Sequence, residues 1–281
     1  MTLIKTRIVQ TAILFTTGLV AQLASAHYPF VAPLAYQTFN NQTVIISGFY
    51  DNPFASEVAI KNFNFHFHTP NGEKVQINEQ DWQKTQAVAV YSLSNKVDGT
   101  YRIRGEKKGG TAQFAQVNQQ WKPLVSAQQK QGALKNDNVV YASNLKNNAV
   151  VKQVQTLEIV ETFVSRRVVS DHVIHHIHDG FDVQFLTHPN QMKVDQNINL
   201  KVLDDKKGIE NLKVEILAPT TDFSREEKVY QVEQTDQSGN LQFKLTEKGQ
   251  YLLKIDYQQP FSKPSNDLKR YKYTLAFNVV D

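Results

Sequence analysis

NFNFHFH, residues 62–68, is the stretch on which the reading of this chain turns. Apolar and polar residues alternate without a break, the period-2 pattern of a half-buried strand. Phe63, Phe65 and Phe67 face a core, while Asn62, Asn64, His66 and His68 face the other way. Histidines at i and i+2 on a strand point in one direction, about 6–7 Å apart at the backbone. That spacing lets both rings converge on one ion, although an exposed polar face would give the same pattern.

Upstream, residues 42–48 alternate with β-branched side chains, and Val44 and Ile46 are expected on one face. Downstream, further strands are expected near residues 87–93, 99–104 and 150–164, and residues 122–149 read as a polar surface excursion. Beyond Pro189 the pattern becomes regular. Ile198, Leu200 and Val202 alternate, then Leu212, Val214 and Ile216, then Leu241, Phe243 and Leu245, with two longer runs over 251–257 and 271–279. Turn signals at Asp204–Gly208, Asp236–Gly239 and Lys248-Gly249 separate them. Short strands without a helical period predict an all-β chain of two β-domains, 27–185 and 186–281, the second a β-sandwich.

Residues 1–26 read as a cleaved signal peptide. Lys5 and Arg7 precede an uncharged apolar run, and Ala24-Ser25-Ala26 has the small-x-small pattern of a cleavage site. The run is too short and too interrupted for a membrane span. Without cysteine there is no lipid anchor on a mature terminal thiol, and the cores carry the stability without disulfides. Periplasmic localisation is the expectation. Loss of Lys5 and Arg7 lowers the whole-chain charge of +4 to +2, which gives no basis for nucleic-acid binding. Cleavage after Ala26 would leave His27 first, where the α-amine (pKa about 7.7–8) and the imidazole can chelate one ion.

The histidine tract DHVIHHIHDGFDVQFLTHPN, residues 171–190, holds five of the eight histidines. His172, His175, His176 and His178 fall within seven residues, and short His-rich tracts commonly bind metal. Asp171, Asp179 and Asp182 are placed to orient imidazoles or to add a carboxylate ligand. His188 precedes a proline, so its backbone is held extended and a structural role is expected.

The segment Gly180-Phe181-Asp182-Val183-Gln184-Phe185-Leu186-Thr187-His188-Pro189 and the strand and turn that follow it resemble the signature of a periplasmic domain-of-unknown-function family. The start Ala26-His27, Gly99-Thr100-Tyr101, Thr235-Asp236 with Gly239, and Gly249-Gln250-Tyr251 are also similar. That family is associated with nickel and cobalt uptake and is related to the NikM-type substrate-specific component. The resemblance implies two β-sandwich-like domains, the second Ig-like or transthyretin-like, that handle a transition metal on its way to a membrane transporter.

Neutral imidazoles suit nickel, cobalt, zinc and copper(II), whereas calcium and magnesium prefer oxygen. With no cysteine and only Met192 after the signal segment, a copper(I) carrier is disfavoured. Two sets compete for the tight site: His27, His66 and His68, or the tract from His172 to His178. The first is favoured because a strand preorganises its ligands, with the tract as a secondary or contributing site. Rival classes are a copper-dependent enzyme built on the His27 chelate and a non-catalytic adhesion or carbohydrate-binding sandwich. Neither HExxH nor GxSxG occurs, so an enzyme is not expected.

Overall fold

The computed structural model describes residues 28–126, 139–220, 229–261 and 266–281. The expected signal segment, residues 1–26, and His27 therefore lie outside the described residues. The described chain is nearly all β, its helical turns being short 3-10 segments. The strands are β1 (Tyr28–Pro33), β2 (Gln37–Thr38), β3 (Gln42–Asn52), β4 (Ala55–Ala59), β5 (Asn64–His68), β6 (Lys74–Ile77) and β7 (Gln83–Lys84). β8 (Ala89–Ser94), β9 (Gly99–Val117), β10 (Gln120–Val125), β11 (Val140–Tyr141) and β12 (Val151–Arg166) follow. The remainder are β13 (Phe181–Phe185), β14 (Ile198–Asp204), β15 (Lys207–Gly208), β16 (Lys213–Leu217), β17 (Val229–Gln234), β18 (Asn240–Phe243), β19 (Gly249–Pro260) and β20 (Leu268–Val279).

Most of these strands belong to one compact unit, Ser25–Ala112 with Lys152–Asp281. Its central sheet runs β9-β12-β20-β19-β16-β17, and β5 adds to β9 with β6 beyond it. β12 and β20 pair in parallel from Val154↔Leu268 to Thr162↔Ala276. A smaller sheet has the order β1-β3-β8-β7, and a third pairs β13, β15 and β18 around β14. Gln113–Val151 forms a separate unit, in which β10 pairs antiparallel with the end of β9 and β11 pairs parallel with β10.

The central sheet is apolar on both faces because its strands alternate between two cores. Ile159 and Phe163 of β12 with Tyr273, Leu275 and Phe277 of β20 pack against Phe181, Val183, Leu200, Val202 and Phe243 of the third sheet. Phe65 and Phe67 of β5, Tyr101 and Ile103 of β9, and Val160 and Val164 of β12 face the other way, against Val31, Ile45, Ala89 and Leu93. Burying each such large side chain contributes roughly 1.5–3 kcal/mol. The two sandwich interfaces thus share one sheet. The expected division at 185/186 falls directly after β13, which pairs along its length with β14, from Phe181↔Asp204 to Phe185↔Leu200.

β3 turns Ile45 into one apolar cluster and Ile46 toward another. Ile45 is fully buried with Thr43 and Ser47, while Val44 is exposed. The inward polar groups are satisfied, Ser47 Oγ donating to the Phe30 carbonyl and Thr43 Oγ1 accepting from Asn95. A hydrogen-bonded hydroxyl is compatible with burial, so this face is buried although it carries two polar residues.

Candidate metal centre

His66 and His68 lie on the same face of β5, as the alternation requires, but that face is covered. β5 pairs antiparallel with β9, which sets His66 opposite Arg104 and His68 opposite Arg102. The loop after the 3-10 turn His172–His175 brings His176 and His178 over the same spot. The His68 ring centre lies 4.8 Å from that of His176 and 5.9 Å from that of His178, and His66 lies 5.3 Å from His68. The strand pair and two members of the tract, expected as competing sets, stand side by side.

One nitrogen from each of His66, His68 and His178 lies within 4.8 Å of the others. His66 Nε2, His68 Nδ1 and His178 Nε2 are buried and have no hydrogen-bond partner. Buried polar atoms are normally paired, so three orphaned nitrogens in one cluster call for a ligand. Burial, with Lys74 and the neighbouring imidazoles, lowers the His66 pKa to about 3. Burial, with His176 and His178, lowers that of His68 to about 4. Both rings are therefore neutral at pH 7 and have lone pairs free to bind a cation. His176, though exposed, is lowered as well, chiefly by partial desolvation against its neighbours and then by His178 and Arg102.

Asp182, on β13, orients the third imidazole. Its Oδ2 lies 3.0 Å from His178 Nδ1 and accepts from the His178 backbone N–H at 2.7 Å. With the proton on Nδ1, His178 presents a free Nε2, the carboxylate–histidine arrangement common behind bound metals. Asp182 Oδ1 accepts from Arg102 Nη2 and Arg104 Nη1, each at 3.0 Å. Although burial raises its pKa, Arg102 and the His178 hydrogen bond hold the carboxyl well below its ordinary range. Arg102 also donates to Glu161 Oε1 at 2.6 Å, and Tyr273 donates its hydroxyl to Glu161 Oε2 at 2.6 Å.

Glu161, His178 and Asp182 also cluster within metal-binding distance. Two guanidinium groups already neutralise those carboxylates and would oppose an added cation, so this group is a support and the imidazoles are the donors. The arginine pair, Glu161 and Tyr273 were missed in the sequence. The available signal was Arg102 and Arg104 alternating with Tyr101 and Ile103, two charges at i and i+2 inside a strand.

The other expected residues fall elsewhere. His172 lies over the turn after β5, where a Cβ on Gly72 (φ +86°) would come within 2.4 Å of His172 Nε2. His175 is exposed and, like His172, is not one of the three clustered imidazoles. Asp171 and Asp179 are exposed. His188 is buried in a separate network: Nδ1 accepts from the Asn190 backbone N–H at 3.0 Å, and Nε2 faces Thr100 Oγ1 at 3.2 Å. That is the structural role expected of it. Tyr28, next to His27, packs its ring against Lys254 and Lys272, on the face of the central sheet opposite Tyr273 and Ile255.

The model of DUF4198, a domain of unknown function, matches residues 24–259. The chain belongs to the DUF4198 family. No curated protein matches it. Among solved structures it is similar to a DUF4785 family protein of Legionella pneumophila, at 8% identity over 82% of this chain and 52% of that one, TM-score 0.24. It is also similar to elastase-activated α2-macroglobulin of Escherichia coli, at 9% identity over 89% of this chain and 20% of that one, TM-score 0.22. A marsupial T cell receptor matches at 8% identity, over 90% and 72% of the two chains, TM-score 0.21. The chain thus spans about half the length of the first of these proteins. No described helix of this DUF4198 protein is long and apolar enough to cross a membrane.

Proposed function

We propose that this DUF4198 protein binds a divalent transition metal in the periplasm and captures or delivers it for a membrane uptake system. Nickel, cobalt and zinc fit the donors, and copper(II) is accepted by the same chemistry. The observation that carries this reading is the trio of unpartnered buried nitrogens on His66, His68 and His178. These residues would hold the ion, and the metal would supply a positive charge that pairs their lone pairs. Asp182 fixes the His178 ring, and Arg102 and Arg104 hold Asp182 ionised. Delivery rather than catalysis is favoured because the buried carboxylates are tied to guanidinium groups and are not free as proton acceptors.

Calorimetry on tag-free protein with nickel, cobalt and zinc tests it. Wild type is expected to bind one ion. His66→Ala/His68→Ala should lose more than the roughly 10–100-fold that follows removal of an outer hydrogen-bond partner. Full affinity in that variant would overturn the assignment. Retention of wild-type binding by His178→Ala as well would show that the imidazole cluster holds no metal.

A further inference from the structure

Three imidazoles leave a first-row divalent ion short of the four ligands of a closed tetrahedral site. His176 is placed to supply the fourth. Its ring centre lies 4.8 Å from that of His68 and 4.7 Å from that of His178. It differs from the other three in two ways. His66 and His68 are buried and His178 is largely covered, whereas His176 is exposed. Its nitrogens are also not among those gathered within 4.8 Å of one another. Reaching the ion therefore requires the ring to turn.

The main chain at that position is pinned, because Arg102 Nη1 donates to the His176 carbonyl at 2.5 Å. The same guanidinium holds Asp182, which holds His178. Rotation about the side-chain bonds of an exposed residue takes picoseconds to nanoseconds and needs no backbone movement. The site thus combines three fixed ligands with one that is free to move at its solvent side.

We propose that His176 is an exchangeable fourth ligand, which meets the ion at the surface, closes on it in the loaded site and swings away with it on release. This rests on the metal-binding reading above. The imidazole forms and breaks only a dative nitrogen–metal bond, and the ion keeps its oxidation state throughout.

The test uses cobalt(II), whose visible absorption reports coordination number, with full-length protein lacking the signal segment. His176→Ala is expected to bind one cobalt(II) at His66, His68 and His178, about tenfold or more weaker than wild type. Its visible spectrum should differ from that of wild type, and millimolar imidazole should restore the wild-type bands by refilling the open position. Transfer of cobalt to a competing chelator, followed by stopped flow, should change rate at least tenfold. A variant matching wild type in spectrum and transfer rate overturns the proposal. So does complete loss of binding, because His176 would then be an indispensable ligand rather than an exchangeable one. If wild type binds no cobalt, nickel or zinc, the metal reading itself fails, and this proposal with it.

Discussion

Asp182 connects the imidazole cluster to the buried charges, since one carboxylate touches His178, Arg102 and Arg104. Asp182→Asn keeps the shape but removes the charge and lets His178 adopt either tautomer. We expect metal affinity to fall roughly 10–100-fold and the unliganded protein to lose about 3–5 kcal/mol, the usual penalty for breaking one partner of a buried pair. Calorimetry and urea unfolding measure the two effects separately; an unchanged affinity would leave Asp182 with a folding role alone. Acid should act through His66 and His68. Their folded pKa values, about 3 and about 4, lie below the unfolded value of 6.5, so the unfolded state binds more protons between those limits. Stability of the metal-free protein is therefore fully present above about pH 6.5 and declines as pH falls through that window. Urea midpoints at pH 7.5 and pH 5 should differ in wild type and differ less in His66→Ala/His68→Ala, where His176 and His188 remain lowered; equally steep profiles would contradict the assignment.

β5 is held to β9 by close approach as well as by hydrogen bonds. Gly105 stands opposite Phe65, and a Cβ there would come within 2.3 Å of the phenyl ring. Phe65 cannot easily retreat, because it stacks on Phe63 at 5.8 Å and packs, tilted, against Trp82 at 4.7 Å. Gly105→Ala is expected to destabilise the protein by roughly 1–3 kcal/mol through overpacking, and to weaken metal binding by displacing the strand that carries His66 and His68. Thermal unfolding with and without nickel checks both. A variant as stable as wild type would mean that β5 shifts freely. Alternation made β5 legible as a strand and put its two histidines on one face, but the same pattern left that face to be read as exposed. It is covered by the tract, contacts across more than a hundred residues of chain that periodicity does not encode.

The whole molecule shares its central sheet between two cores, and this bears on fragments. A chain starting at residue 186 would lack Phe181, Val183 and Phe185 of β13, and Ile159 and Phe163 of β12, all within the larger apolar cluster. It would also leave one edge of β14 and of β20 unpaired. We expect residues 186–281 alone to show a broad, low-midpoint unfolding transition, while residues 28–281 unfold cooperatively. A fragment with a sharp transition and the native aromatic circular dichroism signal would establish an autonomous C-terminal domain.

The sequence by itself determined the all-β class, nearly all the strands beyond Pro189, the shared face of His66 and His68 and the concentration of imidazoles in the tract. These are local properties: a period of two, turn residues at fixed places, and composition. Only the tertiary structure decided which strands became neighbours. Pairing β5 with β9 put Arg104 and Arg102 beside the histidines, and those arginines reach Asp182 across 78 and 80 residues of chain, whereas Asp182 meets His178 from only four residues away. The face of β3 that bears Ile45 is buried with Thr43 and Ser47 because Asn95 and the Phe30 carbonyl satisfy their hydroxyls. Hydrophobic alternation fixes how a strand is divided into faces. What each face meets depends on register and long-range packing, and there the buried charges and the unpartnered nitrogens acquire their chemistry.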